Sequence, residues 1–274
     1  MVWKLTRRIW KKVQEAEGEP VDIPDDWITA TLVCLYKNKG SRKDPAMHRG
    51  ISLISSVEKL LSVIILNRIS KNVNERLLQG QNGFRALKSC RDAVFQLWRE
   101  IESGKRKLEP TLFTFIDYSK AFDSLKWENL WMTLEFAGCP AELVKVMKDL
   151  YQQSKIAILA DDFEQKKGIR QGSSLSPCLF VLALDFCLRV YVEACEELGL
   201  PSREESWFGY ADDIADKSES EEEASIALQQ LEAASAFVGL RLNIKKCESM
   251  GKRITKKVTV VHKIAEKTKD YVEV

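Results

Sequence analysis

Apolar positions fall into two rhythms along the chain, and the alternation between them predicts the elements. Val57, Leu60, Leu61, Ile64, Ile65 and Ile69 recur at three- and four-residue spacing, which predicts a helix over residues 55–78. Similar spacing predicts helices over 90–101, over 177–198 with Ser176 as N-cap, and over 221–238. Residues 28–36 form a β-prone run, and Leu112, Phe113, Phe115 and Ile116 make 111–117 a strand. A helical stretch follows over 125–151, interrupted near 138–140, with Asp123 as the cap for its start. Residues 155–159 and 163–168 read as a hairpin turning at Asp161-Asp162. A second hairpin carries Ala211-Asp212-Asp213 at its tip, and a last strand is expected around 240–244. Residues 1–20 read as helical, and Gly and Pro punctuate polar loops over 37–45 and 81–85. Short antiparallel strands backed by long helices give an α+β fold, not a parallel alternating wind.

Composition narrows the class. With 274 residues and 45% hydrophobic content the chain can bury a sizeable core, in one large domain or two subdomains. The net charge of +2 announces no polyanion partner, but its distribution is uneven. Lys4, Arg7, Arg8, Lys11 and Lys12 precede any acid, and the tail from Lys245 is again basic, while acids gather at 204–205 and 219–223. Basic ends around an acidic centre fit a protein that meets polyanions at particular faces, although charged runs also serve simply as solvated faces. The seven cysteines show no C-x-x-C spacing, and with only His48 and His262 beside them they offer no zinc pattern. Several lie in apolar helical surroundings and read as small core residues of a reducing compartment. The polar start is no signal peptide, and the most apolar stretch, 178–184, is cut off by Asp185. The expectation is an intracellular protein, cytoplasmic or nuclear, with no membrane partner.

Three carboxylates carry the candidate chemistry. Asp117 ends a strand and Asp212-Asp213 sit at a hairpin tip. Taken singly, Asp117 reads equally as a helix cap and the pair as ordinary turn material. If the two strands are neighbours in one sheet, the carboxylates converge at one edge, where like charges are costly without a cation. Hard oxygen ligands suit Mg²⁺, which takes its other ligands from water and substrate phosphates. Two such ions about 4 Å apart clamp the attacking and leaving oxygens of a phosphoryl transfer. The outline is that of a nucleotidyl-transfer site.

Ordered motifs extend this outline. Phe115-Ile-Asp-Tyr-Ser-Lys-Ala-Phe-Asp123, Gly168-Ile-Arg-Gln-Gly-Ser-Ser-Leu-Ser-Pro177, Tyr210-Ala-Asp-Asp213 and Gly239-Leu-Arg-Leu-Asn-Ile-Lys-Lys246 resemble, in order, the palm motifs of reverse transcriptases. Upstream, Leu35-Tyr-Lys-Asn-Lys-Gly40, His48-Arg-Gly-Ile-Ser-Leu53 and Gln81-Asn-Gly-Phe-Arg85 look like the fingers of non-LTR (LINE-type) retrotransposon enzymes. The likeness runs from about Pro24 to Lys246. It implies a right-hand polymerase fold, with an antiparallel palm sheet backed by helices. Its divisions would be an N-terminal helical stub (1–23), fingers (24–110), palm (111–246) and a basic tail (247–274) leading toward a thumb that the chain largely lacks.

The implied function is that of an RNA-directed DNA polymerase, with an RNA template, a DNA primer and dNTPs as partners. Two Mg²⁺ ions, or Mn²⁺ in their place, would be held by Asp117 and Asp212, with Asp213 a less direct contributor. Lys246 matches a palm lysine that protonates the leaving pyrophosphate, with Lys245 beside it as the other candidate. Phe122 matches the bulky residue that screens against a 2′-hydroxyl. Gln171 and Gly172 match a loop at the incoming nucleotide and template base, Lys37 and Arg49 match basic residues gripping the triphosphate, and Tyr210 would pack near the primer end.

Two features depart from the family pattern. Asp216 and Lys217 follow the aspartate pair where an apolar strand is expected, and charges there are expensive unless partnered. They point to a loosened hairpin. Together with the short C-terminal part they suggest a fragment or degenerate copy. The alternative function is a non-catalytic nucleic-acid-binding or protein-interaction remnant of the same fold, which the intact aspartate set opposes.

Overall fold

The computed structural model describes Arg7, Lys11 and residues 23–158 and 161–251. The helix expected over 1–20, apart from those two positions, and the basic tail beyond 251 lie outside the described residues. The chain forms two compact units, Met1–Glu75 with Lys126–Leu179, and Arg76–Leu125 with Phe180–Val274.

The first unit is built on a four-stranded sheet of order β2-β1-β4-β5. After a short helix, Asp25–Ile28, come β1 (Thr29–Tyr36) and β2 (His48–Leu53), which pair antiparallel from Thr31↔Leu53 to Tyr36↔His48. β4 (Lys155–Ile158) runs parallel to β1, and β5 (Asp161–Glu164) returns antiparallel to β4. Asp161 pairs with Ile158 and Asp162 with Ala157, so these residues belong to the strand and not to the turn expected from sequence. The helical stretch expected over 125–151 is two helices, Trp127–Phe136 and Ala141–Gln152, separated at Gly138 (φ +76) and Pro140 where the interruption is expected. Asp123 does not cap it. It lies inside a separate short helix, Ala121–Ser124, and Lys126 occupies the N-cap position of the next one.

Arg170, 4% exposed, ties this unit together. Its guanidinium donates to Glu58 Oε1 at 2.6 Å and to the carbonyl of Ile28. Trp127 Nε1 donates to the carbonyl of Gly168 at 2.7 Å, which fixes the start of the loop that carries Gln171 and Gly172.

The second unit holds an antiparallel sheet of order β6-β7-β3-β8. β3 is Leu112–Ile116, β6 Trp207–Tyr210, β7 Asp213–Ser218 and β8 Glu248–Gly251. β3 suits an interior position because four of its five side chains are apolar and four of its five residues are buried. The helix Glu221–Phe237 packs on β3 and β7 through an apolar face that includes Leu228 and Leu231. Its start is set by Ser220, whose Oγ accepts from the Glu223 amide at 3.1 Å, and by three glutamates that suit the positive end of the helix dipole. The helix Cys90–Lys107 lies beside β6 and outruns its expected end by six residues, stopping at Leu108 in the left-handed region (φ +58). The long apolar helix begins at Ser176 and ends at Glu197. No helix among the described residues is long and apolar enough to cross a membrane.

Two expectations fail at the edges of this sheet. Residues 240–244 form no strand; Leu242 makes a single bridge to Tyr118, and the fourth strand is β8, in what reads from sequence as a polar tail. The hairpin is also not loosened by its charges. Asp216, 2% exposed, accepts from Arg203 and, at 2.7 Å, from the Tyr191 hydroxyl. Arg203, 1% exposed, also donates to Tyr191 Oη at 2.9 Å and to Glu223 Oε1 at 2.5 Å. Lys217 meets Glu100 at 2.9 Å. Asp216 and Lys217 thus each have a partner of opposite sign.

Candidate active site

The antiparallel pairing of β3 with β7 decides where the carboxylates go. Ile116 faces Ile214, so Asp117 leaves β3 beside the hairpin end where Tyr210 pairs with Asp213. Ala211 and Asp212 form the two-residue turn between β6 and β7, with Ala211 at φ +57. The loop after the helix Glu221–Phe237 crosses the end of β3 and holds the backbone of Asp117. The Asn243 amide donates to the Asp117 carbonyl at 2.7 Å, and the Ser119 amide donates to that of Arg241 at 2.8 Å. Glu232 anchors this loop by accepting from the Leu242 amide at 2.8 Å.

The loop delivers Lys246, whose Nζ donates to Asp117 Oδ2 at 2.9 Å. Lys246 and not Lys245 therefore makes this contact with the carboxylate. Burial raises the Asp212 carboxyl above the usual aspartate range, and the carboxylates of Asp213 and Asp117 push the same way. Its own backbone amide and Lys246 pull it back. Asp117, Asp212 and Asp213 thus share one electrostatic neighbourhood at the sheet end, as the sequence leads one to expect.

This donor set fits a hard divalent cation: only carboxylate oxygens, half-buried at Asp212 and accessible at Asp213, with mutual repulsion that a cation would relieve. Among the described residues no three His, Cys, Asp or Glu side chains close around a single point, and the Lys246 ammonium sits on Asp117. Asp117 and Asp212 are the residues that would hold an ion, with Asp213 at the rim.

Phe122, in the short helix after Asp117, stacks on Phe180 with ring centroids 5.0 Å apart and planes 10° from parallel. Tyr210 precedes the turn, half-buried, with its ring 6.3 Å from that of Phe84. These two residues share a unit with the aspartates. The remaining residues singled out from sequence belong to the first unit. Lys37 follows β1 and donates to the Ala46 carbonyl at 2.9 Å, and Arg49 is exposed on β2 opposite Leu35. The carbonyl of Gln171 accepts from the Ser52 amide at 2.7 Å. Gly172 has φ +133, and a Cβ there would stand 2.4 Å from the Ser52 carbonyl oxygen, so no larger residue fits without a shift of backbone.

Sequence reasoning misses two groups that shape this site. Gln81 is fully buried against the aspartate turn, and Arg203 with Tyr191 anchors β7 from behind. Gln81 sits in a segment read from sequence as a loop and as part of a fingers motif, with no tie to the aspartate turn, and the glycines flanking it at 80 and 83 are the available hint of close packing.

Comparison with known proteins agrees with this geometry. Residues 37–262 match the family "Reverse transcriptase (RNA-dependent DNA polymerase)". The chain is 27% identical over 222 residues to the Retrovirus-related Pol polyprotein from type-2 retrotransposable element R2DM of Drosophila melanogaster, covering 76% of this chain and 20% of that protein. It is 25% identical over 241 residues to the RNA-directed DNA polymerase from mobile element jockey of the same species, covering 83% of this chain and 26% of the relative. The chain thus spans about a fifth to a quarter of the length of these relatives. Among solved structures, apo telomerase from Candida tropicalis superposes with a TM-score of 0.59 at 13% identity, covering 93% of this chain and 56% of that one, a likeness of fold.

Proposed function

The chain belongs to the reverse transcriptase family, and from that premise we propose that it extends a DNA primer along an RNA template by nucleotidyl transfer from dNTPs. Its relatives are the reverse transcriptases of non-LTR retrotransposons, and enzymes of this family use divalent metal ions. The observation that carries the reading is the pairing of β3 with β7, which brings Asp117 and Asp212 into one electrostatic neighbourhood.

The primer 3′-hydroxyl gives up its proton to solvent and attacks the α-phosphate of the nucleotide, and the bond from that phosphorus to pyrophosphate breaks as pyrophosphate leaves. Two bound Mg²⁺ ions would supply charge stabilisation to the attacking and leaving oxygens. Asp117 and Asp212 would hold those cations at the sheet end, and Asp213 would add negative charge at the rim. Lys246, hydrogen-bonded to Asp117, donates the proton that pyrophosphate needs to depart. Phe122, backed by Phe180, is a stiff wall against a ribose 2′-hydroxyl. Tyr210 supports the primer end. By family resemblance Lys37 and Arg49 contact the triphosphate, and the Gln171-Gly172 loop contacts the nucleotide and template base. The division into fingers (24–110) and palm (111–246), and work in the cytoplasm or nucleus where templates occur, belong to the same proposal.

A non-catalytic remnant finds less support than the sequence gives it, because Asp216 and Lys217 are partnered and the hairpin is intact. The test is incorporation of dTTP onto oligo(dT) annealed to poly(rA) in Mg²⁺. Elongation is expected; a folded chain that adds nothing in either Mg²⁺ or Mn²⁺ overturns the proposal.

A further inference from the structure

The aspartate turn is held from outside its own hairpin. Residues 80–83 run beside β6: the Gly209 amide donates to the Gly80 carbonyl at 2.9 Å, and the Asn82 amide to the Gly209 carbonyl at 2.8 Å. Between them Gln81, 0% exposed, turns its side chain onto the residue that precedes Asp212. Gln81 Oε1 accepts from the Ala211 amide at 2.9 Å and from the Gly83 amide at 2.7 Å. Gln81 Nε2 donates to the Ala211 carbonyl at 3.2 Å. One side-chain amide thus satisfies both backbone groups of Ala211, and because an N–H needs an acceptor and a C=O a donor, these partners fix its orientation.

Ala211 needs such a hold. At φ +57 it lies in the left-handed region, which a residue with a Cβ seldom occupies unless its surroundings impose it. The contact is also close: a Cβ on Gly83 would stand 2.2 Å from the Ala211 nitrogen. We infer that Gln81 is a positioning residue for the catalytic turn. Its amide locks Ala211 in the left-handed conformation and thereby sets the direction in which the Asp212 carboxylate leaves the hairpin. The consequence for catalysis rests on the function proposed above; the clamp itself does not.

The decisive variant is Gln81→Met, which keeps length and bulk and removes all three hydrogen bonds. Amide hydrogen exchange is read at Ala211, with Thr114 and Ala215 in the strands as internal controls for folding. Exchange at Ala211 should speed at least roughly tenfold while the controls hold, as expected for a lost buried bond. Loss of such an outer partner lowers metal affinity by about 10–100-fold, so Mn²⁺ binding followed by electron paramagnetic resonance should weaken to that extent. In primer extension kcat should fall by a similar factor with KM for dTTP little changed, since Gln81 touches no substrate.

Gln81→Glu keeps the oxygen that accepts from the Ala211 and Gly83 amides and loses the Nε2 donor to the Ala211 carbonyl, so it should preserve part of the Ala211 protection and recover part of kcat. It is also the variant to read if Gln81→Met does not fold. A folded Gln81→Met with wild-type exchange at Ala211 refutes the clamp. Faster exchange with unchanged Mn²⁺ affinity and kcat refutes its positioning role. If the wild-type chain extends no primer, the polymerase reading falls, while Ala211 exchange and Mn²⁺ affinity still decide the clamp.

Discussion

Around Asp212 three negative charges and one ammonium share the end of a sheet, and the balance among them governs what the site can hold. Lys246 lies 2.9 Å from Asp117, with both side chains partly exposed. If it serves as general acid, Lys246→Ala should lower kcat by about 10²–10⁴-fold with KM for dNTP nearly unchanged. A uniform rise in KM at constant kcat would instead make it a binding residue. Gly172 is a second position where one atom matters. Gly172→Ala forces a Cβ to 2.4 Å from the Ser52 carbonyl at φ +133, and we expect a loss of about 1–3 kcal/mol in denaturant unfolding. A variant as stable as the wild type would mean that the loop shifts freely and that its glycine is not structural.

β7 is the element on which the aspartate turn depends, and it is held from behind by a buried charge network. Arg203→Met would leave Asp216 buried without its guanidinium, and such losses run to about 3–5 kcal/mol. A cost below about 1 kcal/mol would show that Tyr191 and Ser218 suffice. The groups facing Asp216 are Arg203, Tyr191, Glu223 and Ser218. Burial raises the Asp216 carboxyl to about 6 from an ordinary 3.8, against the pull of Arg203. Between those values the folded chain holds a proton there that the unfolded chain has released. The contribution of this group to stability therefore declines as pH rises from 3.8 to about 6 and is level above. Measured as wild type minus Asp216→Asn, the stability difference should fall across that window. A difference that grows with pH would mean that the guanidinium outweighs burial.

At this same scale the sequence is informative in an uneven way. β6 and β3 are legible, because short apolar runs bounded by turn residues have few other uses, whereas β7 is legible only as the return strand of the hairpin, with Asp216 and Lys217 against it. β8 is not legible: Glu-Ser-Met-Gly has no strand pattern, and it is extended only because it pairs with β3. Asp123 illustrates a local rule overruled, since the chain spends it inside a short helix that positions Phe122. Asp216 and Lys217 look like damage in one dimension because their partners, Arg203 and Glu100, stand 13 and 117 residues away.

Across the whole molecule, two compact units each combine two separated stretches of chain, whereas fingers and palm follow one another in the sequence reading. Asp117, Asp212, Asp213, Lys246, Phe122 and Tyr210 fall in one unit, and Lys37, Arg49, Gln171 and Gly172 in the other. The motif order made the family and the carboxylate site readable from sequence, because the chemistry sits on short contiguous segments. The clamp at Gln81 was not readable, because its partner Ala211 lies 130 residues on. As the chain spans about a fifth to a quarter of its relatives, what it does unaided is the pivotal question.

The most direct measurement is single-turnover extension of oligo(dT) on poly(rA) by the wild type and by Asp117→Asn, Asp212→Asn and Asp213→Asn, each checked for folding. A metal-holding carboxylate contributes several kcal/mol at the transition state, so the first two variants should lose about 10³-fold or more, and Asp213→Asn less. A folded Asp212→Asn that extends the primer at the wild-type rate would contradict the account, because catalysis would then not pass through the carboxylates that β3 and β7 bring together.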